Sequence, residues 1–107
     1  PMKKLKKRYG CATEFAVDLI GGKWKTVILS WLKERPHRYS DLRSNMPGIS
    51  DKMLSQCLRE LEAAGLTESG DNGHCLTADG EMLRPALEAL HAWGAARAEG
   101  RGILVQR

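Results

Sequence analysis

Residues 40–65 constrain the fold of this chain more tightly than any other stretch. Leu54, Leu58 and Leu61 recur at the spacing that puts them on one side of a helix, with Met53 and Cys57 at the edge of that side. Ser50 stands where an N-cap belongs and Gly65 where the helix must stop, so the expected helix runs from Ser50 to Ala64. Upstream, Ser40 is placed to cap a short helix through Asn45 with Leu42 and Met46 as its apolar residues, and Met46-Pro47-Gly48-Ile49 reads as a turn. Two helices joined by so tight a turn, the second longer, make a helix-turn-helix pattern.

The flanking segments supply what such a pair needs for a core. Phe15, Ala16, Leu19 and Ile20 repeat at helical spacing until Gly21-Gly22 interrupts them. Trp24, Val27, Ile28, Trp31 and Leu32 form one apolar stripe, Lys23, Lys25 and Lys33 take the other face, and Pro36 marks the end. Leu66–Ser69 and His74–Thr77 flank Gly70-Asp71-Asn72-Gly73, as in an antiparallel hairpin. Thr77 is placed to cap a last helix to about Ala98, which Pro85 should kink. At 107 residues the chain is long enough for one domain and too short for two. The expected fold is mainly α with a small β-hairpin, a winged helix-turn-helix with flanking N- and C-terminal helices. Residues 1–10 read as a basic arm, 11–99 as the DNA-binding and dimerisation domain, and 100–107 as a tail.

On a helical wheel Lys52, Gln56 and Arg59 fall opposite the leucines, with Ser55 beside them. Arg and Lys donate to guanine edges, Gln pairs with adenine, and Ser serves base or phosphate. Ser50, Lys52, Ser55, Gln56 and Arg59 are therefore the candidates for contact with double-stranded DNA. Lys4, Lys7 and Arg8 of the N-terminal arm are the candidates for its phosphates. A solvated polar face and a solubilising tail are the plainer explanations of the same residues. Lys and Arg outnumber Asp and Glu by 17 to 13, an excess that points weakly to a polyanionic partner.

No apolar run approaches the roughly 20 residues that span a bilayer, and the charged N-terminus lacks the apolar stretch of a signal peptide. With three cysteines and no C-x-x-C pair, neither a disulfide framework nor a common zinc site is indicated, so the expectation is a cytoplasmic protein with free thiols, no metal and no cofactor. Cys75, His37 and His91 lack ligand spacing. Cys57 is expected in the core. Cys11 follows the basic arm and precedes a helix, both surroundings in which a cysteine reacts as a nucleophile, so it is the candidate for oxidation or alkylation. A small residue tucked against the last helix is its structural alternative. Phe15, Leu83, Leu87, Leu90 and Trp93 exceed what so small a core can cover and are the candidate homodimer interface.

Several segments, in order, resemble the HxlR family of bacterial winged-helix regulators. Residues Cys11 to Lys25 look like its opening signature, and Arg38-Tyr39-Ser40-Asp41-Leu42-Arg43, Met46-Pro47-Gly48-Ile49-Ser50, Lys52-Met53-Leu54 and Leu58-Arg59-Glu60-Leu61-Glu62 resemble its later segments. Leu76-Thr77-Ala78-Asp79-Gly80 resembles its strand-to-helix junction, so the likeness runs from about residue 11 to 94. It implies a dimeric repressor or activator on a pseudo-palindromic operator, controlled by a small electrophile or oxidant through an N-terminal cysteine, here Cys11. The wing departs from the pattern: Ser69 replaces a basic residue, His74 an aromatic one, and the tip carries Asp71, which phosphates repel. A winged-helix module for protein contacts and a thiol-dependent enzyme are the competing functions.

Overall fold

A computed structural model describes residues 5–106. The elements follow in the order α1 (Ala12–Ile20), α2 (Lys23–Leu32), α3 (Tyr39–Asn45), α4 (Asp51–Ala63), β1 (Thr67–Gly70), β2 (Gly73–Leu76), α5 (Ala78–Glu81) and α6 (Arg84–Gly100). This is a mainly helical winged helix-turn-helix with a two-stranded antiparallel hairpin. Its core forms where the stripe of α2 (Ile28, Leu29, Leu32) meets Leu42 and Met46 of the α3 segment and Leu54, Leu58 and Leu61 of α4. Ser50 caps α4 by accepting a hydrogen bond from the Met53 amide at 3.1 Å. At its other end Gly65 adopts a φ of 79°, and the Leu66 amide donates to the Leu61 carbonyl at 3.0 Å, closing the helix.

The hairpin pairs Thr67 with Leu76 and Gly70 with Gly73. A further extended residue joins it: the His37 amide donates to the His74 carbonyl at 2.9 Å and the His74 amide returns a bond to His37 at 2.7 Å. This link fastens the wing to the start of α3. It requires glycine at position 73, where φ is 110° and a Cβ would lie 2.5 Å from the His37 oxygen.

Three local expectations are corrected. Helix α3 starts at Tyr39 with Arg38 as N-cap, because the Asp41 carboxylate accepts the Arg38 amide at 3.2 Å; Ser40 lies inside the helix. Thr77 does cap a helix, accepting from the Gly80 amide at 3.0 Å, but that helix ends after one turn. Pro85 then occupies the first turn of α6, where a missing amide costs no helical hydrogen bond, so two helices replace the single kinked one. Arg84 fixes this junction by donating to the Lys33 carbonyl at the end of α2 and to Glu81. Third, Leu87 is only 3% exposed and belongs to this chain's own core, so it is withdrawn from the expected dimer face.

Candidate nucleic-acid interface

The burial of Leu54, Leu58, Leu61 and Cys57 determines which side of α4 remains outside. Lys52 and Arg59 are exposed on that side, and Ser55 is half-buried beside them. Among the described residues no carboxylate pairs with either cation. The first turn is held by Asp51, whose carboxylate accepts the Tyr39 hydroxyl at 2.8 Å and the Arg43 Nε at 2.8 Å. The Tyr39 hydrogen bond, then the Arg43 bond and charge, hold the Asp51 carboxyl below the usual carboxylate range. Both donors lie on α3, so this contact links the two helices of the motif at the surface and partly neutralises the acid nearest Ser50.

Gln56 behaves differently from its neighbours on the stripe. It is half-buried, and its Nε2 donates to Glu60 Oε2 at 2.9 Å. The other Glu60 oxygen pairs with Lys25 Nζ of α2 at 2.6 Å, and the two charged side chains are only 13% and 12% exposed. The Lys25 bond first, then that from Gln56, pulls the Glu60 carboxyl below its usual range. The stripe therefore has a carboxylate at its border that the wheel did not assign to it. The i, i+4 spacing of Gln56 and Glu60 was the available signal.

The end of the arm is folded onto α1. The Tyr9 hydroxyl donates to Asp18 at 2.6 Å, the Gly10 amide to Glu14 at 2.8 Å, and Lys6 pairs with Glu14 at 3.4 Å. Lys7 and Arg8 remain exposed, and Lys4 lies outside the described residues. At the wing, Glu68, Ser69 and Asp71 are exposed, and Arg38 reaches the tip by donating to the Asp71 carbonyl at 3.4 Å. Sequence reading missed this cation beside the acidic tip, since 33 residues separate the two.

Cys11 is exposed at the N-cap of α1, where its carbonyl accepts the Phe15 amide at 3.3 Å. Cys57 is buried, and burial pushes its thiol up. Cys75 is half-buried, its thiol directed to the Glu68 carbonyl at 3.7 Å. Among the described residues no group of three or more His, Cys, Asp or Glu could hold a metal. None of the helices of the described residues is long and apolar enough to cross a membrane. Leu90 and Trp93 on α6 and Phe15 on α1 are exposed, while Leu83 is partly buried against the core.

A helix-turn-helix whose second helix turns cations outward beside a short wing defines a winged-helix DNA-binding protein. The family model of the HxlR-like helix-turn-helix matches residues 19–101. The chain belongs to the HxlR family of helix-turn-helix transcriptional regulators. It is 40% identical over 100 residues to the uncharacterized HTH-type transcriptional regulator YkvN of Bacillus subtilis, covering 87% of this chain and 85% of that one. Among solved structures, the redox regulator HypR in its oxidized form superposes with a TM-score of 0.73 at 33% identity, covering 80% of this chain and 96% of HypR. Quinone-bound YodB from B. subtilis does so with a TM-score of 0.69 at 31% identity, over 78% and 96%.

Proposed function

We propose that two copies of this chain bind a pseudo-palindromic operator in the cytoplasm, each placing α4 in the major groove, and that modification of Cys11 controls the binding. The exposure of Lys52 and Arg59 opposite the buried leucines of α4 carries this reading. Arg59 and Gln56 are the base readers, Lys52 serves base or phosphate, and Ser50 and Ser55 serve the backbone at the helix start and flank. Lys7 and Arg8, with Lys4, add phosphate contacts from the arm. The apolar residues Phe15, Leu90 and Trp93, with Leu83 at the edge, supply the dimer surface, and two-fold symmetry sets half-sites about 34 Å apart or a multiple of that.

The protein works by binding and not by turnover, and needs no cofactor. Cys11 is exposed where residues 6–10 fold onto α1, so a small oxidant or electrophile reaches it without unfolding the core. HypR, named as a redox regulator, and YodB, seen with a quinone, share this fold, and their likeness supports the reading.

Selection of duplexes bound by the protein, with and without a thiol oxidant, tests both halves. An enriched inverted repeat is expected, with retention changed by oxidant in the unaltered protein and unchanged in Cys11→Ser. Failure to enrich any sequence removes the DNA-reading half. A Cys11→Ser protein that still responds removes the assignment of the switch to Cys11.

A further inference from the structure

We infer that the Lys25–Glu60 ion pair is a positioning device that makes Gln56 select adenine over guanine; this rests on the proposed reading of bases by α4. A carboxamide has nearly the same shape in either orientation, so its neighbours decide which end faces out. Glu60, ionised and held by Lys25 at 2.6 Å, is an acceptor only. If Gln56 turned its oxygen toward Glu60, two acceptors would meet. Its Nε2 therefore faces the carboxylate, at 2.9 Å. Lys25 belongs to α2, so the device is anchored to the core and does not travel with the α4 surface alone.

The commitment of one N–H leaves the amide with its carbonyl oxygen and a single further N–H. Adenine offers a donor at N6 and an acceptor at N7, which that remaining pair matches. Guanine offers acceptors at both N7 and O6, and a glutamine satisfies both only by turning two N–H groups toward the base. While Glu60 holds one of them, that second mode is closed. Glu60 touches no base in this scheme and acts through Gln56.

The test uses the full-length protein and the operator that selection yields. Gln56→Ala locates the base pair whose preference depends on Gln56. At that position the unaltered protein is expected to prefer adenine over guanine by about tenfold. Glu60→Gln keeps the shape but offers a donor as well as an acceptor, so Gln56 can turn either way, and the preference is expected to fall to about threefold or less. Lys25→Met/Glu60→Leu removes both charges together and is expected to have the same effect if the single variant folds poorly. Preference at the position read by Arg59 should not change in either, which separates repositioning of one side chain from general damage. If Gln56→Ala alters a base preference but both Glu60 variants retain full discrimination against guanine, the positioning role is overturned. If Gln56→Ala alters no preference at all, it is the reading of bases by Gln56 that fails.

Discussion

Arg59→Ala is expected to weaken operator binding by about 1–3 kcal/mol, roughly 5- to 150-fold at constant salt, while leaving the fold intact. The size follows from a guanidinium that donates two parallel bonds to guanine N7 and O6, both of which alanine removes. The intact fold follows from position: Arg59 is exposed opposite Leu54, Leu58 and Leu61, and surface changes of that kind shift stability by only about 0.5 kcal/mol. Binding to random duplex should fall far less, because one phosphate neutralised among several changes the salt slope by about one. Competition between operator and random duplex measures the difference directly. Equal losses on both would make Arg59 a phosphate contact and not a base reader.

Glu60→Ala is expected to lower folding stability by about 1–2 kcal/mol, between the cost of breaking an exposed pair and a fully buried one, since it leaves the largely covered Lys25 ammonium without its counter-charge. Replacing both partners, as in Lys25→Met/Glu60→Leu, should recover most of the loss, because two apolar side chains carry no desolvation cost. Urea unfolding of the three proteins checks this. The pair also has a pH signature. The folded Glu60 carboxyl is held below its unfolded value, so its stabilisation is complete above the ordinary carboxylate range and lost as pH falls through the lowered value. Acid should therefore destabilise the unaltered protein more than the double variant. Asp51 and Glu14 are lowered in the same direction, but both lie at the surface and remain in both proteins, so they do not blur the comparison. A single variant as stable as the double one would mean that Lys25 finds another partner.

Those two substitutions mark where sequence periodicity succeeds and where it stops. Leu54, Leu58 and Leu61 had to face inward because apolar burial drives the packing of a helix, and that alone put Lys52 and Arg59 outside. Periodicity names a face but not what meets it. Leu87 shares a helix with Leu90 and Trp93, yet it packs into the core cluster while they stay exposed. The i, i+4 spacing offers the contact of Gln56 with Glu60, but Lys25 lies on another helix, so no local pattern carries the whole tie. The single bridging residue His37 is likewise too short for an alternation to announce a strand. Inside a helix a proline breaks the hydrogen-bond ladder, whereas in the first turn of α6 the same missing amide of Pro85 fits a helix start.

The central claim is that the outward side of α4 meets the duplex. Amide shifts of the isotope-labelled protein, recorded as operator duplex is added, test it most directly. The account predicts the largest changes from Ser50 to Glu60, with smaller ones at Lys7 and Arg8. Changes confined to α6 and the wing, with Lys52 and Arg59 unmoved, would contradict it.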